Sequence, residues 1–114
     1  MDAQRARELL DRERNRIEQE LSSLRSPRGG DGELSNVDQH TADAGSELFE
    51  AERDRSMIER LQGELEAVER AERRLQEGTY GVSVESGEPI PDGRLEAVPW
   101  AERTAQEQSR HDAR

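Results

Sequence analysis

Two narrow apolar stripes constrain this chain more than any other feature. In the first, Leu10, Ile17 and Leu24 recur every seven positions, Leu21 fills the same face, and Arg and Glu occupy most of the rest. That spacing predicts a helix over 3–25, with Asp2 as its N-cap. In the second, Ile58, Leu61, Leu65, Val68 and Leu75 keep a 3–4 heptad rhythm broken once at Glu72, and Leu48 and Ala51 extend it backwards. It predicts one helix over 43–77, roughly 50 Å long. Thr41, Asp43 or Ser46 would cap it and Gly78 would end it. Glu13 and Arg14 stand at core-spaced positions of the first stripe, so that seam is polar in its middle.

Neither stripe is wide enough to bury itself against anything but another helix. Between them lies Ser26-Pro27-Arg28-Gly29-Gly30-Asp31-Gly32, which cannot continue a helix. The expected fold is mainly α: a long antiparallel coiled-coil hairpin over 1–77, with a tip loop at about 26–42. Leu21 and Leu24 should then pack near Leu48 and Ala51, and Leu10 near Leu61 and Leu65. Heptads alone do not choose a partner, so homodimeric pairing is the competing arrangement. A monomer is expected.

Residues 78–114 change character. Thr79 to Val84 is β-branched and aromatic, Ser86-Gly87 reads as a hairpin-like turn, and Pro89, Pro91 and Gly93 punctuate the stretch after it. A short C-terminal helix is expected from Trp100 to about Arg110. Tyr80, Val82, Val84, Ile90, Leu95, Val98 and Trp100 are the candidate core of this small lobe, packed on the base of the hairpin.

Composition excludes several functions. Hydrophobic residues make up 30% of the chain and charged residues 39%, too few and too many for a thick globular core. The net charge of −10 opposes a direct DNA-binding role through phosphate neutralisation, and equally an anionic membrane surface. It suits a basic partner surface or channel. All 17 basic residues are Arg, and there is no Cys, hence no disulfide and no thiolate metal site. No apolar run approaches bilayer length and Met1-Asp2-Ala3-Gln4-Arg5 has no signal pattern, so the expected location is cytoplasmic. With His40 in a loop, His111 near the end and no phosphate-binding glycine motif, no nucleophile–base pair is visible, and the chain reads as non-enzymatic.

Glu52-Arg-Asp-Arg55, Glu64-Leu-Glu-Ala-Val-Glu-Arg-Ala71, Gly78-Thr-Tyr-Gly81, Ser86-Gly-Glu-Pro-Ile90 and Arg94-Leu-Glu-Ala-Val-Pro-Trp-Ala101 together resemble the DksA/TraR family of bacterial RNA polymerase-binding regulators. Glu33-Leu-Ser-Asn-Val-Asp-Gln-His-Thr-Ala-Asp43 is similar to the tip segment of a Gram-positive branch. The resemblance runs over roughly 33–108. It implies insertion of the hairpin tip into the secondary channel of RNA polymerase, with a zinc-ribbon lobe at the channel rim. Some members act with the alarmone ppGpp, so a nucleotide effector is a further expectation.

The resemblance also assigns sites. At the tip, Asp38, His40, Asp43 and Glu47 are the candidate partner-binding residues. The better-known Asp-x-x-Asp-x-Ala pattern falls on His40, Asp43 and Gly45, of which Asp43 matches, and Asp38 supplies a second carboxylate. From composition alone the same cluster reads as a solvated loop with an N-cap, or as a metal chelate that nothing closes. In the lobe, the four zinc-ligand positions of the family fall on Ser83, Ser86, Thr104 and Glu107. Neutral hydroxyls are poor zinc ligands, so no metal cofactor is expected, although zinc is expected in the family. Ser83, Ser86 and Thr104 are instead expected to form a hydrogen-bond cluster. The functional expectation is a transcription regulator with an acidic tip as effector. The alternative is a coiled-coil interaction or structural protein that has lost the polymerase role.

Overall fold

The computed structural model describes residues 1–25 and 44–113, with side chains of the second segment described from residue 50. Among the described residues four helices succeed one another: α1 (Ala3–Arg25), α2 (Ala44–Glu77), α3 (Asp92–Ala97) and α4 (Ala105–Asp112). The first two are the helices predicted from the stripes. Asp2 caps α1 as expected, its Oδ1 accepting the Arg5 N–H at 2.8 Å. Gly78 ends α2 at φ +81°, a conformation that disfavours any side chain. Around it the Thr79 N–H reaches the Arg74 carbonyl at 2.9 Å and the Gly78 N–H reaches that of Leu75 at 3.4 Å, the pairing that satisfies a helix's last carbonyls.

Helices α1 and α2 form the antiparallel hairpin. Its seam buries Leu10, Ile17, Leu21, Leu61, Val68 and Ala71, with Leu24, Ile58, Leu65, Leu75, Tyr80 and Trp100 packed against them. The expected register needs correction. Leu10 shares a cleft with Leu75, and Leu21 shares one with Leu65. Ala51, expected in the seam, is exposed. Relative to expectation, α1 has moved about four turns along α2 toward the lobe.

Two contacts explain the shift. Arg14 reaches across to Glu72, Nη2 to Oε1 at 2.5 Å and Nε to Oε2 at 3.1 Å, so the polar break in one stripe faces the polar break in the other. At the base, Arg5 forms a two-pronged pair with Glu96 of α3 at 2.8 and 3.0 Å, and Met1 packs on the lobe. The N-terminal end of α1 is therefore held level with the end of α2. Because α2 has 34 residues against 23 in α1, its first turns run beyond Arg25.

The lobe contains no strand among the described residues. One antiparallel bridge joins Val82 to Pro89, and the Gly87 N–H returns to the Ser83 carbonyl at 2.9 Å, closing a tight turn with Gly87 at φ +76°. Ile90, Leu95 and Ala101 form its small core, with Met1, Tyr80 and Val98 alongside. Val82 and Val84 were expected in that core but are 37% and 50% exposed. Their backbones are committed to bridging, Val84 N–H to the Glu102 carbonyl at 2.9 Å, which turns the side chains outward. Helix α3 was not anticipated; Pro91 followed by Asp92 was its only sequence signal. The final helix starts at Ala105 rather than Trp100, because Ala101 is buried in the lobe core and Thr104 supplies the cap.

Candidate functional site

The four lobe positions singled out in the sequence are brought together. Ser83 opens the turn that Gly87 closes, and its hydroxyl oxygen accepts the N–H groups of Glu85 at 3.0 Å and Ser86 at 3.2 Å. The same hydroxyl donates to Glu107 Oε1 at 2.6 Å. Glu107 is the third residue of α4. Its Oε1 also accepts the Thr104 N–H at 2.9 Å, while the Glu107 N–H donates to Thr104 Oγ1 at 3.2 Å. This reciprocal pair is a capping box. Ser86 Oγ accepts the Glu88 N–H at 3.2 Å.

Ser83 and Thr104 both bond to Glu107, so the centre of this group is the carboxylate. Ser83 and Glu107 are the buried polar residues among those described, at 4% and 6% exposure. Hydrogen bonds from the Ser83 hydroxyl first, then from the Ser86 hydroxyl and the Thr104 N–H, hold the Glu107 carboxyl at about 2, well below the usual range for Glu. A buried charge is tolerable only when donors surround it, as they do here.

A second polar centre, with no sequence motif of its own, joins lobe to hairpin. Glu102 Oε1 and Oε2 receive Arg70 Nη2 and Nε at 3.0 and 3.1 Å, and Oε2 also receives Arg74 Nη1 at 3.3 Å. Burial works against the Glu102 carboxylate, but the Arg70 hydrogen bonds and the Arg70, Arg74 and Arg103 charges outweigh it and lower its pKa. Beside this centre the Tyr80 hydroxyl donates to the Pro99 carbonyl at 2.8 Å, and burial pushes its pKa up to about 12. Arg103 pairs with Glu85 at 2.5 Å, and Arg94 Nε donates to the Arg103 carbonyl at 2.8 Å. The only signal for these links in the sequence was an excess of charge without assigned partners.

Of the tip residues, Asp38, His40 and Asp43 lie outside the described residues. Glu47 falls within α2. Among the described residues no group of three or more acidic, His or Cys side chains is placed to hold a metal, and no helix is long and apolar enough to cross a membrane.

The architecture is thus a two-helix hairpin carrying a small turn-rich lobe and a capped terminal helix at its base. No protein-family model matches the chain. It is 44% identical over 79 residues to General stress protein 16O of Bacillus subtilis, covering 68% of this chain and 48% of that protein. It is 32% identical over 94 residues to the RNA polymerase-binding transcription factor DksA of Caulobacter vibrioides, covering 82% of this chain and 61% of that one. Its fold aligns with the structure of transcription factor DksA2 from Pseudomonas aeruginosa at a TM-score of 0.60 and 28% identity, over 97% of this chain and 83% of that one. The chain thus belongs to the DksA/TraR family, with no cysteine anywhere in its sequence. It spans about half the length of General stress protein 16O.

Zinc, which the family implies, does not fit these residues. A tetrahedral site places its ligand atoms roughly 2.0–2.3 Å from the ion and hence more than 3 Å from one another. Here Ser83 Oγ and Glu107 Oε1 are 2.6 Å apart with a proton between them. Three of the four side chains are neutral hydroxyls. Each of the four is already engaged in hydrogen bonding within the lobe.

Proposed function

We propose that this chain is a transcription regulator that binds RNA polymerase in its secondary channel. The observation that carries this reading is the combined likeness to DksA in sequence and to DksA2 in fold, which extends over 97% of the chain. The hairpin is the insertion element. The segment containing Asp38, His40, Asp43 and Glu47 is its effector end, and the lobe anchors the protein at the rim.

Physical features of the chain support the assignment. A helix of 34 residues is about 50 Å long, enough for carboxylates at its far end to enter a site that a globular protein cannot. A net charge of −10 suits a basic channel. Ion pairs Arg5–Glu96 and Arg70–Glu102 join the lobe to the base of the hairpin. In this reading the protein is a cytoplasmic, non-enzymatic monomer with no direct DNA contact, and a nucleotide alarmone is a candidate effector at the polymerase.

The test is a pull-down with core RNA polymerase from the source organism, alongside a variant lacking residues 33–45 and an Asp43→Asn variant in transcription assays. Micromolar or tighter binding that the deletion weakens, with an altered transcriptional effect for Asp43→Asn, is expected. Absence of binding, or binding indifferent to the deletion, would favour a coiled-coil interaction protein that no longer acts on polymerase.

A further inference from the structure

We propose that the Glu107 carboxylate performs the structural task of a metal ion in this lobe, joining the Ser83–Gly87 turn to helix α4 by hydrogen bonds alone. Three observations carry the proposal. Glu107 is the only buried residue of α4, so the helix is seated on the lobe through this side chain. The partner on the other side, Ser83, is 24 residues away in sequence and equally buried. Ser83 Oγ in turn gathers the N–H groups of Glu85 and Ser86, so a single chain of hydrogen bonds runs from the turn, through the hydroxyl, into the carboxylate and on to the Thr104 N–H.

The chemistry of the exchange is consistent. A structural ion ties two chain segments together by accepting electron pairs from four ligands. A carboxylate does the reverse, accepting protons from donors on both segments, and such charge-assisted bonds are stronger than neutral ones. The negative charge sits in the first turn of α4, where the helix dipole favours it. No ligand atom must be deprotonated and none is a thiol, so neither chelators nor thiol oxidants have a target. The Val84 N–H to Glu102 carbonyl bond also links the two segments, but it lies outside α4 and cannot hold that helix. The proposal is independent of polymerase binding.

Hydrogen exchange of the full chain tests it, read by mass spectrometry with and without EDTA, together with zinc analysis. Wild type is expected to hold no stoichiometric zinc and to keep the same protection in 83–87 and 105–112 whether or not EDTA is present. Glu107→Ala should lose at least tenfold protection in both segments while 3–25 and 61–77 stay protected, which separates loss of the node from global unfolding. Ser83→Ala should reproduce the loss, whereas Thr104→Ala, which removes the side-chain cap but leaves Ser83 on Glu107, should keep 83–87 protected. A variant with Ser83→Cys, Ser86→Cys, Thr104→Cys and Glu107→Cys should be protected only with one bound zinc. Stoichiometric zinc in wild type, protection unchanged in Glu107→Ala, or a four-cysteine variant that is equally protected without zinc would each overturn the proposal.

Discussion

Arg14 and Glu72 face each other across the hairpin, joined by two hydrogen bonds at 2.5 and 3.1 Å. Each occupies the place in its own stripe where an apolar residue was missing. Arg14 also lies 3.4 Å from Glu18 and 3.7 Å from Glu69, and the hydrogen bond to Glu72 is the main reason its pKa is raised. A polar pair inside a coiled-coil seam selects register at a cost in stability.

A double-mutant cycle on Arg14 and Glu72 should therefore show a coupling of about 1 kcal/mol, at the upper end for a partly exposed pair. Replacing both residues by Leu should leave the hairpin equally or more stable to urea. The same double variant should lose register specificity and populate dimers, measurable by light scattering. A monomer that keeps a single register would show that the lobe contacts alone set the alignment.

Acid should weaken the lobe through Glu107. Its folded pKa of about 2 lies below the ordinary 4.5, so as pH falls the unfolded chain takes up the proton first. The stabilisation from Glu107 is therefore complete above about pH 4.5 and is lost as pH drops from there toward 2. The difference in unfolding free energy between wild type and Glu107→Gln should be flat near neutrality and shrink across that window. Glu102, whose pKa is also lowered, should act in the same direction.

Ile17 is fully buried in the hairpin seam and Leu95 is nearly so in the lobe. Truncation of either to Ala should cost roughly 2–5 kcal/mol. Urea unfolding followed by exchange should place the Ile17 effect in α1 and α2, and the Leu95 effect mainly in residues 78–113.

Gly78→Ala should destabilise by roughly 1–2 kcal/mol. An added Cβ there would meet nothing within 4 Å, so the penalty comes from φ +81° alone. Thermal unfolding should fall by several degrees, with the end of α2 fraying first by exchange.

Much of the fold was legible because its signals are local. The stripes, the Asp2 cap and the Gly78 terminator each rest on residues within a turn or two of one another, and the structure has them where the spacing put them. The lobe was legible by resemblance: Ser83, Ser86, Thr104 and Glu107 converge as the family pattern implies. Val82 and Val84 misled because β-branched residues were read as core, whereas their backbones are held by Pro89 and Glu102 in a way that turns them outward. The start of α4 falls at Ala105 and not at the expected Trp100, because Thr104 and Glu107 form a capping box, a signal already in the sequence.

The sequence by itself determined two long helices, their amphipathic faces, their caps and a family, since all of these depend on side chains a few positions apart. Tertiary structure alone decided which turn of α1 meets which turn of α2, because the pairing partners Arg14 and Glu72 stand 58 residues apart and either heptad stripe fits several registers. It also decided the role of Glu107. Read in the sequence, that residue is one of four former zinc-ligand positions, inside a helix expected to start at Trp100. In the fold it becomes the buried acceptor for a hydroxyl 24 residues away, because only packing removes water and makes those hydrogen bonds count.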